Sequence, residues 1–120
     1  MYNEELNYLV KNYLNKRYVK EVVDYIYDNT KYLDVSVDEG MPYFGVFYNE
    51  TEDLLTGFTI VIPKVYDLKS MLINIHEFRH GIDLYPYLWE RVPNKNFEQL
   101  AKNEEKDFEE YLTIKKLIKK

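Results

Sequence analysis

The order of periodicities along the chain predicts a small α+β domain in which helices pack on a three-stranded sheet. Three observations carry this. From Glu4 to about Asp28 there is no Gly or Pro and apolar residues recur at helical spacing. From Tyr32 to Ile62 the period changes to two, and after Pro63 the helical period returns. At 120 residues, residues 1–120 form one domain and leave no room for a second.

Each element follows from its pattern. In the first stretch Leu6, Leu9, Val10 and Tyr13 form one set, and Val19, Val22, Val23 and Ile26 another. At about 100° per residue the two sets fall on roughly opposite sides of a continuous helix, so it is either buried on both sides or broken near Asn15 to Arg17. Leu33, Val35 and Val37 then alternate with Asp34, Ser36 and Asp38, a half-exposed strand ended by a turn at Glu39-Gly40-Met41-Pro42. Tyr43 to Tyr48 and Gly57 to Ile62 are two further strands, separated by the polar turn Asn49-Glu50-Thr51-Glu52-Asp53, and the three are expected to be antiparallel. Asp67 is placed to cap a helix carrying Leu68, Met71, Leu72, Ile75 and Ile82. Pro86 and Pro93 make the segment from Tyr85 to Asn96 a loop, and a last helix runs from about Phe97 to Ile118. Lys115, Lys116, Lys119 and Lys120 suit the negative end of that helix.

Charge and composition exclude several functions. With 16 basic and 21 acidic residues the net charge is −5, so the domain carries no positive field to gather nucleic acid or anionic lipid. A run such as Ile60-Val61-Ile62 is far short of a membrane span, and Met1-Tyr2-Asn3-Glu4-Glu5 has neither the basic nor the apolar part of a secretion signal, which predicts a cytoplasmic protein. Cysteine is absent, which removes disulfides, thiolate nucleophiles and cysteine metal sites. Only two histidines remain for imidazole chemistry. Nothing in the sequence specifies an oligomeric state.

Both histidines sit in one pentapeptide, His76-Glu77-Phe78-Arg79-His80, inside the second helical segment. Residues i and i+4 project from the same helix face, so both imidazoles can reach one cation, with Glu77 beside them. This is the geometry of HExxH zinc hydrolases. A catalytic zinc needs a third protein ligand and an open position. Without Cys or a third His, that ligand must be a carboxylate. The longer HExxHxxGxxH pattern is absent, since Asp83 stands at its Gly and Pro86 at its third His. The last helix offers Glu98, Glu104, Glu105, Asp107, Glu109 and Glu110. Its apolar arc contains Phe97, Leu100, Ala101, Phe108, Tyr111 and Leu112; Glu104 lies inside it and Glu105 at its border, so periodicity leaves these two tied.

The HExxH helix, followed 25 residues after His80 by Glu105-Lys106-Asp107-Phe108-Glu109-Glu110-Tyr111, resembles the gluzincin metallopeptidases, whose glutamate helix often reads E-x-[ED]-A-[DN]-x-[FY]. The resemblance implies Glu105 as the third zinc ligand and Glu109 as the residue that orients a zinc-bound histidine. Phe108 departs from the family's small residue, and Glu98, heading Glu98-Gln99-Leu100-Ala101 with a small residue at +3, is the alternative ligand. In size and element order the chain is similar to the single-domain minigluzincins and more distantly to ImmA/IrrE-type peptidases.

The resemblance implies a zinc-dependent peptidase: zinc on His76, His80 and Glu105 activates a water, and Glu77 takes its proton. Tyr85, Tyr87 and Arg79 are candidates to stabilise the oxyanion. The strand Phe58 to Ile62 is a candidate edge for an extended peptide substrate. In minigluzincins the C-terminal segment can lie across the cleft, which makes latency a property to test in the tail 115–120. The alternatives are a zinc-binding regulatory or interaction module that cleaves nothing, and a helical scaffold with an accidental HExxH.

Overall fold

The computed structural model describes residues 2–27, 33–37, 46–51, 54–62, 67–87 and 93–115, with side chains for 4–24, 26, 27, 67–87 and 93–115. The first helical stretch is two helices, α1 (Tyr2–Arg17) and α2 (Lys20–Tyr27), separated at Tyr18 and Val19. The break resolves the conflict between the two apolar sets. Val10, Tyr13 and Leu14 from α1 and Val23 and Ile26 from α2 all enter one core, which a continuous helix would have split between two faces.

Strands β1 (Leu33–Val37), β2 (Val46–Thr51) and β3 (Leu54–Ile62) pair in the order β1-β3-β2. The expected antiparallel arrangement is corrected on one side. β2 and β3 are antiparallel, from Val46 opposite Ile60 to Thr51 opposite Leu54, with a bulge at Asn49/Glu50. β1 runs parallel to β3, from Leu33 opposite Phe58 to Val37 opposite Ile62. Alternation of period two is the same in either direction and carries no information about it. Asn49 to Thr51, expected in a turn, belong to β2, and the turn at 39–42 and residues 52 and 53 lie outside the described residues. The strand expected to receive a peptide, Phe58 to Ile62, is the central one, paired to β1 along its length, so it offers no free edge for strand addition.

The α+β expectation itself is corrected. Of the residues described with their side chains, 88% are helical and none lies in a strand. Among the residues described with their side chains, every buried one sits on α1, α2, or the helices α3 (Leu68–Leu84) and α4 (Phe97–Ile114). Among the residues described with their side chains, the core that positions the site is therefore helix packed on helix. The physical reason lies in the stripes: each helix offers an apolar face, and these faces satisfy one another through Met71, Ile75, Phe78 and Ile82 of α3 and Phe108 and Leu112 of α4. Tyr27 of α2 stacks on Phe78, ring centroids 4.5 Å apart.

Asp67 caps α3 as its position predicts: its Oδ1 accepts from the Ser70 amide at 2.9 Å, while Ser70 Oγ accepts from the Asp67 amide at 3.1 Å, a reciprocal capping box. A 3₁₀ turn, Tyr85–Tyr87, continues α3 where a loop was expected. Asn96 caps α4 by accepting from the Gln99 amide at 3.1 Å. α4 ends at Ile114 rather than Ile118, and residues 116–120, with the tail expected to reach the cleft, lie outside the described residues. Among the described residues no helix is long and apolar enough to cross a membrane.

Candidate metal centre

His76 and His80, one turn apart on α3, turn their rings toward each other, centroids 4.8 Å apart. Their Nε2 atoms are 3.2 Å from one another. Glu98, in the first turn of α4, closes the group: its Oε1 lies 3.1 Å from His80 Nε2 and 3.3 Å from His76 Nε2. The three donors thus form a nearly equilateral triangle. Donors bound about 2.05 Å from a tetrahedral zinc stand about 3.3 Å from each other. The triangle has the size of one face of such a coordination sphere. Two imidazole nitrogens and one carboxylate oxygen are also a donor set that suits zinc. His76, His80 and Glu98 are the group that can hold a metal ion among the described residues.

Glu105 does something else. Its Oε2 lies 2.5 Å from His76 Nδ1. A carboxylate accepts, so Nδ1 is the donor to Glu105, and in the neutral ring this tautomer keeps the Nε2 lone pair for a metal. Glu105, expected as the third ligand, thus lies on the Nδ1 side of His76, and it is Glu98, the alternative ligand, that faces both Nε2 atoms. Glu109 is half-buried, and its backbone carbonyl accepts from Thr113 Oγ1 at 2.9 Å. Glu98 and Glu105 are seven residues apart, two helical turns, and so share a face of α4.

Glu77 is 4% exposed, and its Oε1 has no hydrogen-bond partner among the described residues. Burial pushes its carboxyl up to about 8; the His76 charge opposes this, and the charges of Glu98 and Glu105 add to it. A buried oxygen that is unpaired among the described residues, on the residue next to His76, fits a metal-held water as its hydrogen-bond donor. For His76, burial disfavours the charged ring, but the hydrogen bond to Glu105 and the charges of Glu98, Glu77 and Glu105 outweigh it, and the net shift is upward. His80 moves down, through burial and the His76 charge. Burial works against ionisation of Glu98, but the two histidines outweigh it and hold that carboxyl below its ordinary value.

Glu104, tied with Glu105 on periodicity, is 1% exposed and turned away from the triangle. Its Oε1 accepts from Arg79 Nη1 at 2.8 Å and from the Tyr18 hydroxyl, and its Oε2 accepts from Arg17 Nη1 at 2.9 Å and from the Tyr13 hydroxyl at 2.5 Å. The Arg79 guanidinium is thus committed to Glu104, Tyr18 and Asp83, the last at 2.9 Å and 3.0 Å, rather than offered to an oxyanion. The Tyr85 hydroxyl reaches Glu21 at 3.5 Å. Arg17, Tyr13 and Tyr18 carried no motif in the sequence. The available hint was Glu104 itself, an acid inside an apolar arc, which requires a buried cation somewhere. Set beside models of known protein families, curated proteins and solved structures, the chain matches none of them.

Proposed function

We propose that this chain is a zinc-dependent peptidase of gluzincin type acting in the cytoplasm, with His76, His80 and Glu98 holding the metal and Glu77 as general base. The observation that carries the proposal is the triangle of His76 Nε2, His80 Nε2 and Glu98 Oε1, with edges of 3.1, 3.2 and 3.3 Å. Zinc bound there supplies Lewis-acid polarisation of a scissile carbonyl and lowers the pKa of a water to near neutrality. The chain's own residues supply the rest. Glu105 fixes the His76 tautomer. Glu77, whose Oε1 has no hydrogen-bond partner among the described residues, would take the proton of the attacking water and pass it to the leaving amine. A buried acid with an oxygen unpaired among the described residues costs stability and contributes nothing to metal holding, which favours a hydrolytic site over a purely structural one.

The test is zinc content of the purified protein together with digestion of an unstructured peptide library, alongside Glu77→Gln. One zinc per chain and cleavage that disappears in the variant are expected. Stoichiometric zinc with no cleavage by either protein would replace the peptidase by a zinc-binding interaction module, and absence of zinc would remove both.

A further inference from the structure

Beside the contact of His76 Nε2 with Glu98, three polar contacts between α3 and α4 form a ladder. His80 meets Glu98, Arg79 meets Glu104 and His76 meets Glu105, so numbers fall along α3 as they rise along α4 and the two helices are antiparallel. Two rungs belong to the candidate metal centre. The middle one does not, and it is the buried one: the Glu104 carboxylate is closed off from solvent by Arg79 from α3, Arg17 and Tyr13 from α1, and Tyr18 from the α1–α2 break. A buried ion pair is an inefficient source of stability, because the desolvation of both charges offsets their attraction, and the best-attested use of such groups is to fix one register among several. Apolar side chains along the α3–α4 seam pack by shape and tolerate sliding. A slip of one turn, about 5.4 Å, would pull Glu104 away from its partners and leave its carboxylate buried and unpaired, while Arg79 would keep Asp83 of its own helix.

We infer that Glu104, clasped by Arg79, Arg17, Tyr13 and Tyr18, is a positioning residue that locks the α3–α4 register and thereby holds the Glu98 carboxylate against His76 and His80. This rests on the reading of those three residues as metal ligands. Glu104 touches no ligand atom; it acts through its own helix, six residues after Glu98 and one before Glu105.

Absence of native cysteine allows a direct measurement of register in the metal-free protein. Lys69 on α3 and Lys106 on α4 are both exposed, so Lys69→Cys and Lys106→Cys can carry spin labels for pulsed-EPR distances without entering the core. Two lock variants are compared with the labelled parent: Glu104→Gln, which keeps the shape, and the apolar pair Arg79→Met with Glu104→Leu, which leaves no charge of that rung to desolvate. Val23→Ala, fully buried on α2, is a control that lowers stability without touching the ladder. Cobalt(II) titration, followed by its visible absorption, reports the ligand set. The expected result is a single narrow distance in the parent and the control, a broadened one in both lock variants, and cobalt affinity weakened roughly 10- to 100-fold with loss of the tetrahedral band in the lock variants only. Should Glu104→Gln fail to fold, the apolar pair decides. A folded apolar pair with a narrow distance and parental cobalt affinity would overturn the inference and leave Glu104 as a structural group. If the parent binds no cobalt, the ligand reading falls and the positioning role with it, whatever the distances show.

Discussion

The Nε2 atoms of His76 and His80 stand 3.2 Å apart. Two imidazoles one turn apart can point in many directions. Here the Glu105 carboxylate holds the first ring by its Nδ1, and Glu98 from the start of α4 faces both Nε2 atoms. Two glutamates of one helix therefore divide their positions: Glu98 closes the triangle of donor atoms and Glu105 is bonded to the far nitrogen of His76.

That division predicts a ranking. Glu98→Ala should reduce zinc affinity by orders of magnitude, since it removes a donor atom, whereas Glu105→Ala should cost roughly 10- to 100-fold, the usual effect of losing a partner behind a ligating histidine. Competition with a chromophoric chelator measures both. A larger loss in Glu105→Ala than in Glu98→Ala would return the third ligand to Glu105.

Glu77 gives a pH signature in the metal-free protein. Its folded pKa, about 8, lies above the ordinary 4.5, so between these values the folded chain keeps a proton that the unfolded chain has released. Stability from this group is therefore highest below pH 4.5 and declines as pH rises toward 8. Glu77→Gln, which cannot ionise, should flatten that decline in thermal melts while retaining zinc uptake and abolishing hydrolysis. A variant melting curve that follows the parent's pH dependence would show that Glu77 ionises freely in the fold.

Much of this was legible in the sequence, and what was not has identifiable physical reasons. The spacing of His76 and His80 is enough to place both rings on one face, because i and i+4 always share one. Asp67 reads as a cap because the next turn needs its amides satisfied. The resemblance ranks Glu105 above Glu98, but a separation of two turns puts both on the same face, and only the position of α3 decides which meets Nε2. Glu104 sits inside the apolar arc because Arg17 and Arg79 meet it there, from 87 and 25 residues away in sequence. Periodicity sees the arc and not the partner. The fold class failed for a related reason: alternation marked the strands, but it gives neither their direction nor the fact that the described core is made by helices facing helices.

The cap of α3 should be separable from the site it supports. Asp67→Ala should lower stability by about 1 kcal/mol, or about 4 °C in Tm, and Asp67→Asn should recover most of it because the amide oxygen can still accept. The hydrogen bonds from Ser70 hold the Asp67 carboxyl below its ordinary value. Its contribution is present above the unfolded pKa and lost as pH falls through the folded one, so the gap between parent and Asp67→Ala should close in acid. A gap that persists at the lowest pH where the protein folds would show that the loss comes from elsewhere.

Ala101 tests whether close approach of α4 is what brings Glu98 to the histidines. It is fully buried, one turn beyond Glu98, on the same buried face as Glu104, Phe108 and Leu112. A larger side chain there overpacks the seam, at a cost of about 1–3 kcal/mol, and the helix relieves the strain by moving outward where it is nearest, in its first two turns. Glu98 moves with them. Ala101→Leu should therefore weaken zinc binding more than its stability loss suggests. Leu112→Ala, at the far end of the same helix, provides the contrast: it should cost about 2–5 kcal/mol while leaving the first turn, and zinc affinity in the folded protein, unchanged. Chelator competition on both variants, at a temperature where each is fully folded, separates the two effects. Parental zinc affinity in Ala101→Leu would show that Glu98 reaches the triangle without close packing of α4.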